Sequence, residues 1–340
     1  MKLFHKIFLG LCFYFISTSL FAQNNPKADI LIKQGTALHD EGKYTEAIAK
    51  YKQALELEPA NLSANYELGF TLYSSGNTKE AIPYLEKIIN AKTTSLAAQA
   101  YDLLGSIYDD DKQPEKAIAY YKKGIAANPK YQRLYFNLSI TYLRKGNDAE
   151  AERYAAEALK LDPLHSSSHR IYALATYNQH KRGASLLAWC NFLMIEPLTD
   201  RSTQAYQYVQ NILNYGISKS DDKSVNIKIN DQSAEGTILP LAVLSATADK
   251  KGLSAVDSLT LQLSSVFRIS DNFQKQQTTD FYNKFYSGYF KKLAATNYMP
   301  TLARYISLVA YKDENEAWIK AHEDNFNELV SWVETNNREF

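Results

Sequence analysis

Residues 28–61 read ADILIKQGTALHDEGKYTEAIAKYKQALELEPAN, and this stretch decides the fold. Small residues stand at Gly35, Ala47 and Ala54, where they let two helix axes approach closely. Gly42 permits the left-handed backbone that ends a helix, and Pro59 cannot continue one. The stretch therefore predicts two antiparallel helices joined by a turn at Gly42.

The same pattern returns along the chain. Pro129, Pro163 and Pro197 are spaced by 34 residues, and Pro59 precedes Pro129 by 70, which is two such units plus two residues. One helix pair cannot bury its apolar face alone, so units of this kind stack on one another. The period predicts five units, at 28–61, 62–95, 98–131, 132–165 and 166–199.

These units resemble tetratricopeptide repeats, which are helix-turn-helix units of about 34 residues. Beyond the first unit, the resemblance rests on Leu68, Gly69, Gly76, Ala81, Leu85, Tyr101, Leu104, Gly105, Tyr121, Leu138, Gly146, Ala151, Ala158, Tyr172 and Ala173. It implies an all-α fold in which about five repeats form a superhelix, and it covers about half of the chain.

The remainder of the chain carries no repeat of this kind. Residues 200–215 place apolar side chains at helical spacing and predict a helix that caps the last repeat. Residues 216–236 are polar, and alternation at 225–229 predicts one short strand or an extended linker. Residues 237–340 predict a second, helical domain, with drifted repeat-like hairpins as the alternative, and helices at 238–248, 253–267, 278–295, 301–311 and 315–335.

The N-terminus has the pattern of a secretory signal peptide. Lys2 and Lys6 precede the uncharged apolar run 7–20, and Ala22 offers a small residue for cleavage. An uncleaved membrane anchor is the alternative. A signal peptide at 1–22 predicts an exported protein, periplasmic or associated with the outer envelope, or secreted. No transmembrane span is expected after its removal.

Composition excludes some classes of protein. The formal net charge of +1 argues against a nucleic-acid binder, which usually carries a basic excess. Cys190 would be the only cysteine left after cleavage, so no disulfide within the chain is expected. We expect no cofactor, because no phosphate-binding loop or metalloprotease motif occurs.

The resemblance also implies where a ligand binds. In such repeats, the first helix of each unit lines a groove that holds a protein or peptide segment. The positions that would face it are Tyr66, Phe70, Tyr73, Asp102, Asp109, Arg133, Phe136, Ile140, Arg170 and Tyr177. The prediction is a non-enzymatic scaffold whose groove is apolar, with acids in the middle and arginines toward its C-terminal end. The alternative is that the cap or the C-terminal domain fills the groove.

Other residues permit different functions, each with an ordinary structural explanation. His165 and His169 could share a metal, but solvated histidines are the simpler interpretation. Phe281, Tyr282, Phe285, Tyr286, Tyr289 and Phe290 form an aromatic stripe at helical spacing. A core face explains this stripe, and a glycan- or peptidoglycan-binding surface is the alternative. An enzyme of unknown class in the C-terminal domain is a third hypothesis, which no motif supports.

Overall fold

The computed structural model describes residues 25–91, 95–221, 224–227, 234–273, 280–336 and 338. Helices dominate this part of the chain, so the predicted all-α class is confirmed. The predicted signal peptide at 1–22 lies outside the described residues. None of the helices described is long and apolar enough to cross a bilayer.

The chain divides into two compact units, Met1–Asn90 and Ala91–Phe340. The first unit contains α1 (Pro26–Asp40), α2 (Tyr44–Leu57), α3 (Leu62–Ser74) and α4 (Thr78–Asn90). The expected single array of five repeats is thus divided into two repeats and three. The division falls at the two-residue insertion that interrupts the 34-residue period.

The first unit shows why small residues recur. Gly35 faces the ring of Tyr51, and a Cβ atom there would lie 2.6 Å from Cε1 of that ring. Ala47 and Ala54 are fully buried on α2. Gly42, with φ of 74°, adopts the left-handed backbone between the two helices. Each residue therefore has the role that its place in the repeat predicts.

The second unit begins with three further helix pairs. They are α5 (Ala97–Asp110) with α6 (Pro114–Ala127), α7 (Gln132–Arg144) with α8 (Asp148–Leu161), and α9 (Ser166–Asn178) with α10 (Arg182–Ile195). Next come α11 (Asp200–Leu213), the strands β1 (Ile217–Asp221) and β2 (Ser224–Ile227), α12 (Ala234–Thr247) and α13 (Ala255–Arg268). The last elements are a 3₁₀ turn (Ser270–Asn272), a π-helical turn (Tyr282–Ser287), α14 (Gly288–Ala294), α15 (Met299–Ile306), α16 (Lys312–Ala321) and α17 (Glu323–Thr335).

One hydrophobic core joins the last repeat to the C-terminal helices. It contains Trp189 and Phe192 of α10 together with Phe267, Phe285 and Phe290. Every residue of α10 from 182 to 193 is buried, because this helix is covered on both sides. The helices before and after the segment 216–236 therefore share one core.

Two local expectations also need correction. The segment expected to hold one strand forms an antiparallel hairpin, in which Ile217 pairs with Ile227. A strand needs a second strand to hydrogen-bond its backbone groups. Here β1 is that second strand, and its polar sequence lacks the alternation that would have predicted it. The helix expected at 315–335 is broken at His322, where φ of −129° and ψ of 45° leave the helical region.

Candidate functional site

The ten predicted groove residues lie on the first helices of the repeats, in both compact units. Tyr66, Phe70 and Tyr73 lie on α3 of the first unit. The other seven lie on α5, α7 and α9 of the second unit, and we call their shared surface the groove face. Its members are Asp102, Asp109, Arg133, Phe136, Ile140, Arg170 and Tyr177.

In the first unit, the aromatic rings pack on one another. Tyr66 and Phe70 are half-buried, with parallel rings whose centroids lie 6.3 Å apart. Phe70 also stacks on His39 of α1 at 4.9 Å. The Nδ1 atom of His39 lies 2.8 Å from Oγ1 of Thr71, which fixes the imidazole beside the ring. These contacts join the first helices of the two repeats.

Asp102 differs from the open acidic position that the sequence predicts. Its side chain is completely buried. It accepts a hydrogen bond of 2.6 Å from Nε of Arg133 and one of 2.7 Å from Nδ2 of Asn137. Burial raises the pKa of this carboxyl, and the two donors offset only part of that effect. Asp102 therefore connects α5 to α7 and is not available to a ligand.

The second predicted acid of the groove face is also paired. Asp109 accepts a hydrogen bond from Nη1 of Arg144, which lies one repeat further along on α7. The side chains of Arg133 and Arg144 are 50% and 59% exposed, whereas the side chain of Asp109 is largely covered. The side facing solvent therefore presents arginines over neutralised acids, so the expected acidic middle of the groove is wrong.

Apolar side chains form a row beside these ion pairs. Phe136, Ile140 and Tyr177 are half-buried, and their inner sides pack against the core. The Phe136 ring meets the edge of His165 at 4.7 Å. Tyr177 meets Tyr208 of α11 at 4.9 Å, also edge to face. The outer sides of these residues leave apolar surface open on the groove face.

Helix α11 adds residues to the groove face that the sequence prediction missed. Arg201, Gln204 and Tyr208 lie 34 residues after Ser167, Arg170 and Leu174. Nη1 of Arg201 donates to Oγ of Ser167 at 2.9 Å, and Nη2 of Arg170 donates to Oε1 of Gln204 at 3.2 Å. Counting one further period into the cap would have found all three. The cap thus serves as the first helix of an incomplete sixth repeat.

Arg170 is the predicted groove residue with an unneutralised charge. No carboxylate lies within 4.0 Å of its guanidinium among the residues described. Its Nε atom is shielded from solvent and has no hydrogen-bond partner there either. Because an unpaired guanidinium favours an anion, this residue marks the basic part of the groove face.

The two histidines considered for metal binding have structural roles. Nδ1 of His165 accepts from the backbone N–H of Ser168 at 3.2 Å and caps α9. His169 is fully buried, and its ring nitrogens lie 2.9 Å from the carbonyl oxygen of Pro163 and 2.7 Å from Oη of Tyr286. Across the described residues, no three metal-ligating side chains gather in one place.

The aromatic stripe of the C-terminal region belongs to the core. Phe281 and Tyr289 expose 6% and 5% of their surface, and the other four residues are fully covered. Tyr286 packs on Tyr172 with ring centroids 5.1 Å apart. These residues present no face on which a sugar could stack, so the glycan-binding interpretation of the stripe is wrong.

Comparisons with known proteins agree on the repeats. Three tetratricopeptide-repeat family models match residues 35–76, 67–132 and 110–176. The repeat region of this chain therefore belongs to the tetratricopeptide-repeat family.

Individual relatives match the same region. Human protein O-mannosyl-transferase TMTC1 is 26% identical over 187 residues, which are 55% of this chain and 19% of that protein. A crystal structure of MamA covers 48% of this chain and 94% of its own, at 26% identity and a TM-score of 0.44. The structure of YrrB, described as a protein with an unusual peptide-binding site, covers 53% and 92%, at 22% identity and a TM-score of 0.43. This chain spans about a fifth of the length of the transferase.

Proposed function

We propose that the groove face binds a segment of another protein and that the chain is a non-enzymatic scaffold. The observation that carries this proposal is the row of half-buried apolar side chains on α7 and α9, whose outer sides are open. Phe136, Ile140 and Tyr177 are held from behind by the core, so they are ordered before a ligand arrives. Apolar and aromatic side chains held in this way supply most of the affinity of protein interfaces.

The charges of the groove face define the ligand further. Among the described residues no carboxylate lies within 4.0 Å of the Arg170 guanidinium, and Arg133 and Arg144 leave much of their surface exposed. A segment that carries an acidic residue beside apolar anchors would pair a carboxylate with Arg170. We therefore expect an amphipathic or extended segment with apolar anchors and at least one Asp or Glu.

The C-terminal helices leave this face partly open. They pack on α10 and α11, and they reach α9 at residues that point into the core, such as His169 and Tyr172. Phe136 and Ile140, by contrast, are only half-buried and keep part of their surface open. This distribution favours a ligand in the groove over the alternative in which the C-terminal region fills it.

A peptide selection tests the proposal. The full chain without residues 1–22 would be used to select peptides from a displayed library, and binding would be measured by fluorescence anisotropy. We expect the selected peptides to be apolar and acidic. The double variant Phe136→Ala/Ile140→Ala should raise the Kd roughly tenfold or more.

The matched control is Leu161→Ala. Leu161 is 40% exposed on α8, a second helix of the repeats, and so lies off the groove face. This variant should bind the selected peptides like the unaltered protein. If the groove variant stays folded and keeps its affinity, or if the control loses as much, the proposed site is wrong.

The non-enzymatic part of the proposal rests on the described residues. The transferase activity in the name of the human relative belongs to that protein, of which this chain covers 19%. Between the last repeat and the C-terminal helices, the buried polar pair His169 and Tyr286 is enclosed in the core, where no substrate reaches it. A transferase assay with the purified chain and mannosyl donors is expected to give no product.

We also propose that the protein is exported. The support is the sequence pattern of residues 1–22, with a basic start, an apolar run and a small residue at Ala22. N-terminal sequencing of the protein from fractionated cells should find Gln23 as the first residue, outside the inner membrane. An intact Met1 in the cytoplasmic fraction would contradict this.

A further inference from the structure

An apolar cavity opens between the last repeat and the C-terminal helices, and none of the seven residues that define the groove face lines it. Its volume is about 300 Å³, the lower end of the usual range for ligand pockets. Helices α10, α15 and α17 provide most of its lining: Met194, Ile195, Leu302, Tyr305, Leu329 and Val333. Leu164 and Val330 stand at its mouth, where they are 71% and 38% exposed.

One cationic side chain reaches into this cavity. The Arg338 guanidinium lies over the rings of Phe285 and Tyr289, at 4.7 and 4.3 Å from their centroids. Its Nη2 atom donates to Oδ1 of Asn191, which is itself buried on α10. These contacts fix the guanidinium plane at the inner end of the apolar lining.

The charge of Arg338 is not balanced within the described residues. Its Nη1 atom is shielded from solvent and has no hydrogen-bond partner there. Glu334 also lines the cavity but is exposed, and it makes no ion pair with Arg338 within 4.0 Å. Burial lowers the pKa of the guanidinium, and the neighbouring Tyr289 and Tyr286 offset only part of that effect. Leaving a buried donor of a charged group without a partner is costly.

We propose that this cavity binds an aliphatic carboxylate, with its head group on Arg338 and its chain among Leu302, Leu329 and Val333. A carboxylate supplies the acceptor that Nη1 lacks and neutralises the cation. An aliphatic chain matches the apolar walls, and the end of a long chain can extend out of the cavity between Leu164 and Val330. This is a second site, independent of the peptide proposed for the groove face.

Binding of decanoate, measured by isothermal titration calorimetry, tests the proposal. The full chain without residues 1–22 would be titrated below the micelle concentration. We expect saturable binding of one decanoate per chain, and decanol, which has the same chain without the charge, should bind at least about tenfold more weakly. Absence of saturable binding, or equal affinity for the two compounds, would overturn the proposal.

Three variants locate the ligand. Arg338→Met keeps the apolar volume and removes the charge, and it should weaken decanoate binding roughly tenfold while leaving decanol binding unchanged. Val333→Trp fills the cavity from α17 and should abolish binding of both compounds. Arg144→Met removes an arginine of the groove face and should change neither. Thermal melts followed by circular dichroism would verify folding, and undiminished decanoate binding by both folded cavity variants would place the ligand elsewhere.

Discussion

Repeats three to five and the C-terminal helices share one compact unit but find their packing partners at very different distances along the chain. In the repeats, Gly105 of α5 packs under Tyr121 of the helix that follows it. In the C-terminal region, Tyr286 hydrogen-bonds His169, which lies 117 residues earlier. Local partners recur with a period and can be recognised in a sequence. Distant partners occur once, so only the structure reveals them.

Because the last repeat and the C-terminal helices share one core, a substitution in that core should destabilise both regions. Phe285 is fully buried, and it stacks on Phe281 at 4.7 Å and on His169 of the last repeat at 5.7 Å. Phe285→Ala should lower the free energy of unfolding by about 3–5 kcal/mol, because it removes a large ring from a closed core. Urea unfolding would measure the loss.

Hydrogen exchange would show whether the Phe285→Ala substitution destabilises the last repeat as well as the C-terminal helices. Because the core is shared, amides of α9 and α10 should lose protection together with those of α14. The exposed-site variant Leu161→Ala should change neither. If only residues 280–294 lost protection, the C-terminal helices would have a core of their own, which would contradict the shared core.

A smaller effect is expected where the repeat is tightest. Ala47 is fully buried on α2. Ala47→Leu should overpack this contact and cost about 1–3 kcal/mol in a denaturant melt. Ala49 is exposed on the same helix, so Ala49→Leu should cost much less. A loss at Ala47 no greater than at Ala49 would contradict the assignment of this position in the repeat.

The contact between the last repeat and the C-terminal region should also respond to acid. Burial lowers the pKa of His169 well below 6.5, so the folded protein keeps this ring neutral. The unfolded chain binds a proton there as the pH falls below about 6.5. Titration of His169 should therefore leave the free energy of unfolding unchanged above that pH and lower it below that pH, by up to about 1.4 kcal/mol per pH unit.

Urea unfolding between pH 7.5 and 5.5 measures this effect. His165 has a pKa that burial also lowers, so the total slope contains both residues. The difference between the unaltered protein and His169→Asn isolates the buried ring, and the variant should show the flatter slope. An unchanged slope would mean that His169 binds its proton at the same pH in the folded protein as in the unfolded chain.

The smallest effect is expected at the surface of the groove face. The Arg144 side chain, 59% exposed, pairs with Asp109 of the preceding repeat. Arg144→Gln should cost about 0.2–1 kcal/mol at low ionic strength, because exposed ion pairs contribute little. The difference should nearly vanish in about 1 M salt, where charges on the surface are screened. A larger loss that persists in salt would mean that ion pairs, and not apolar contacts, join the repeats.

The sequence predicts the repeats well because each position has one physical role. Pro129 and Pro163 mark where second helices end, and Gly42 and Gly146 adopt the left-handed backbone at the turns. The ten groove residues also lie on first helices, as predicted. The charge pairing of these residues could not be predicted from the sequence. Asp102 is buried because Arg133 and Asn137 donate hydrogen bonds to it across two helices, and only the structure shows this arrangement.

The role of the C-terminal aromatic residues could not be predicted from the sequence for a related reason. The aromatic spacing of residues 281–290 is compatible with a core or with an open surface, and only the contacts of Tyr286 with Tyr172 and His169 decide between them. Arg338 likewise gave no signal in the sequence. Its importance comes from Asn191, which lies 147 residues earlier in the chain.

Photo-crosslinking is the most direct test of the claim that the groove face, and not the C-terminal region, receives a protein partner. A peptide from the library selection, carrying a benzophenone beside its apolar anchor, would be irradiated with the full chain without residues 1–22. The adducts would be mapped by mass spectrometry. We expect adducts on α7 and α9, near Phe136, Ile140 and Tyr177, which disappear with excess unlabelled peptide. Adducts confined to residues 234–338 would contradict it.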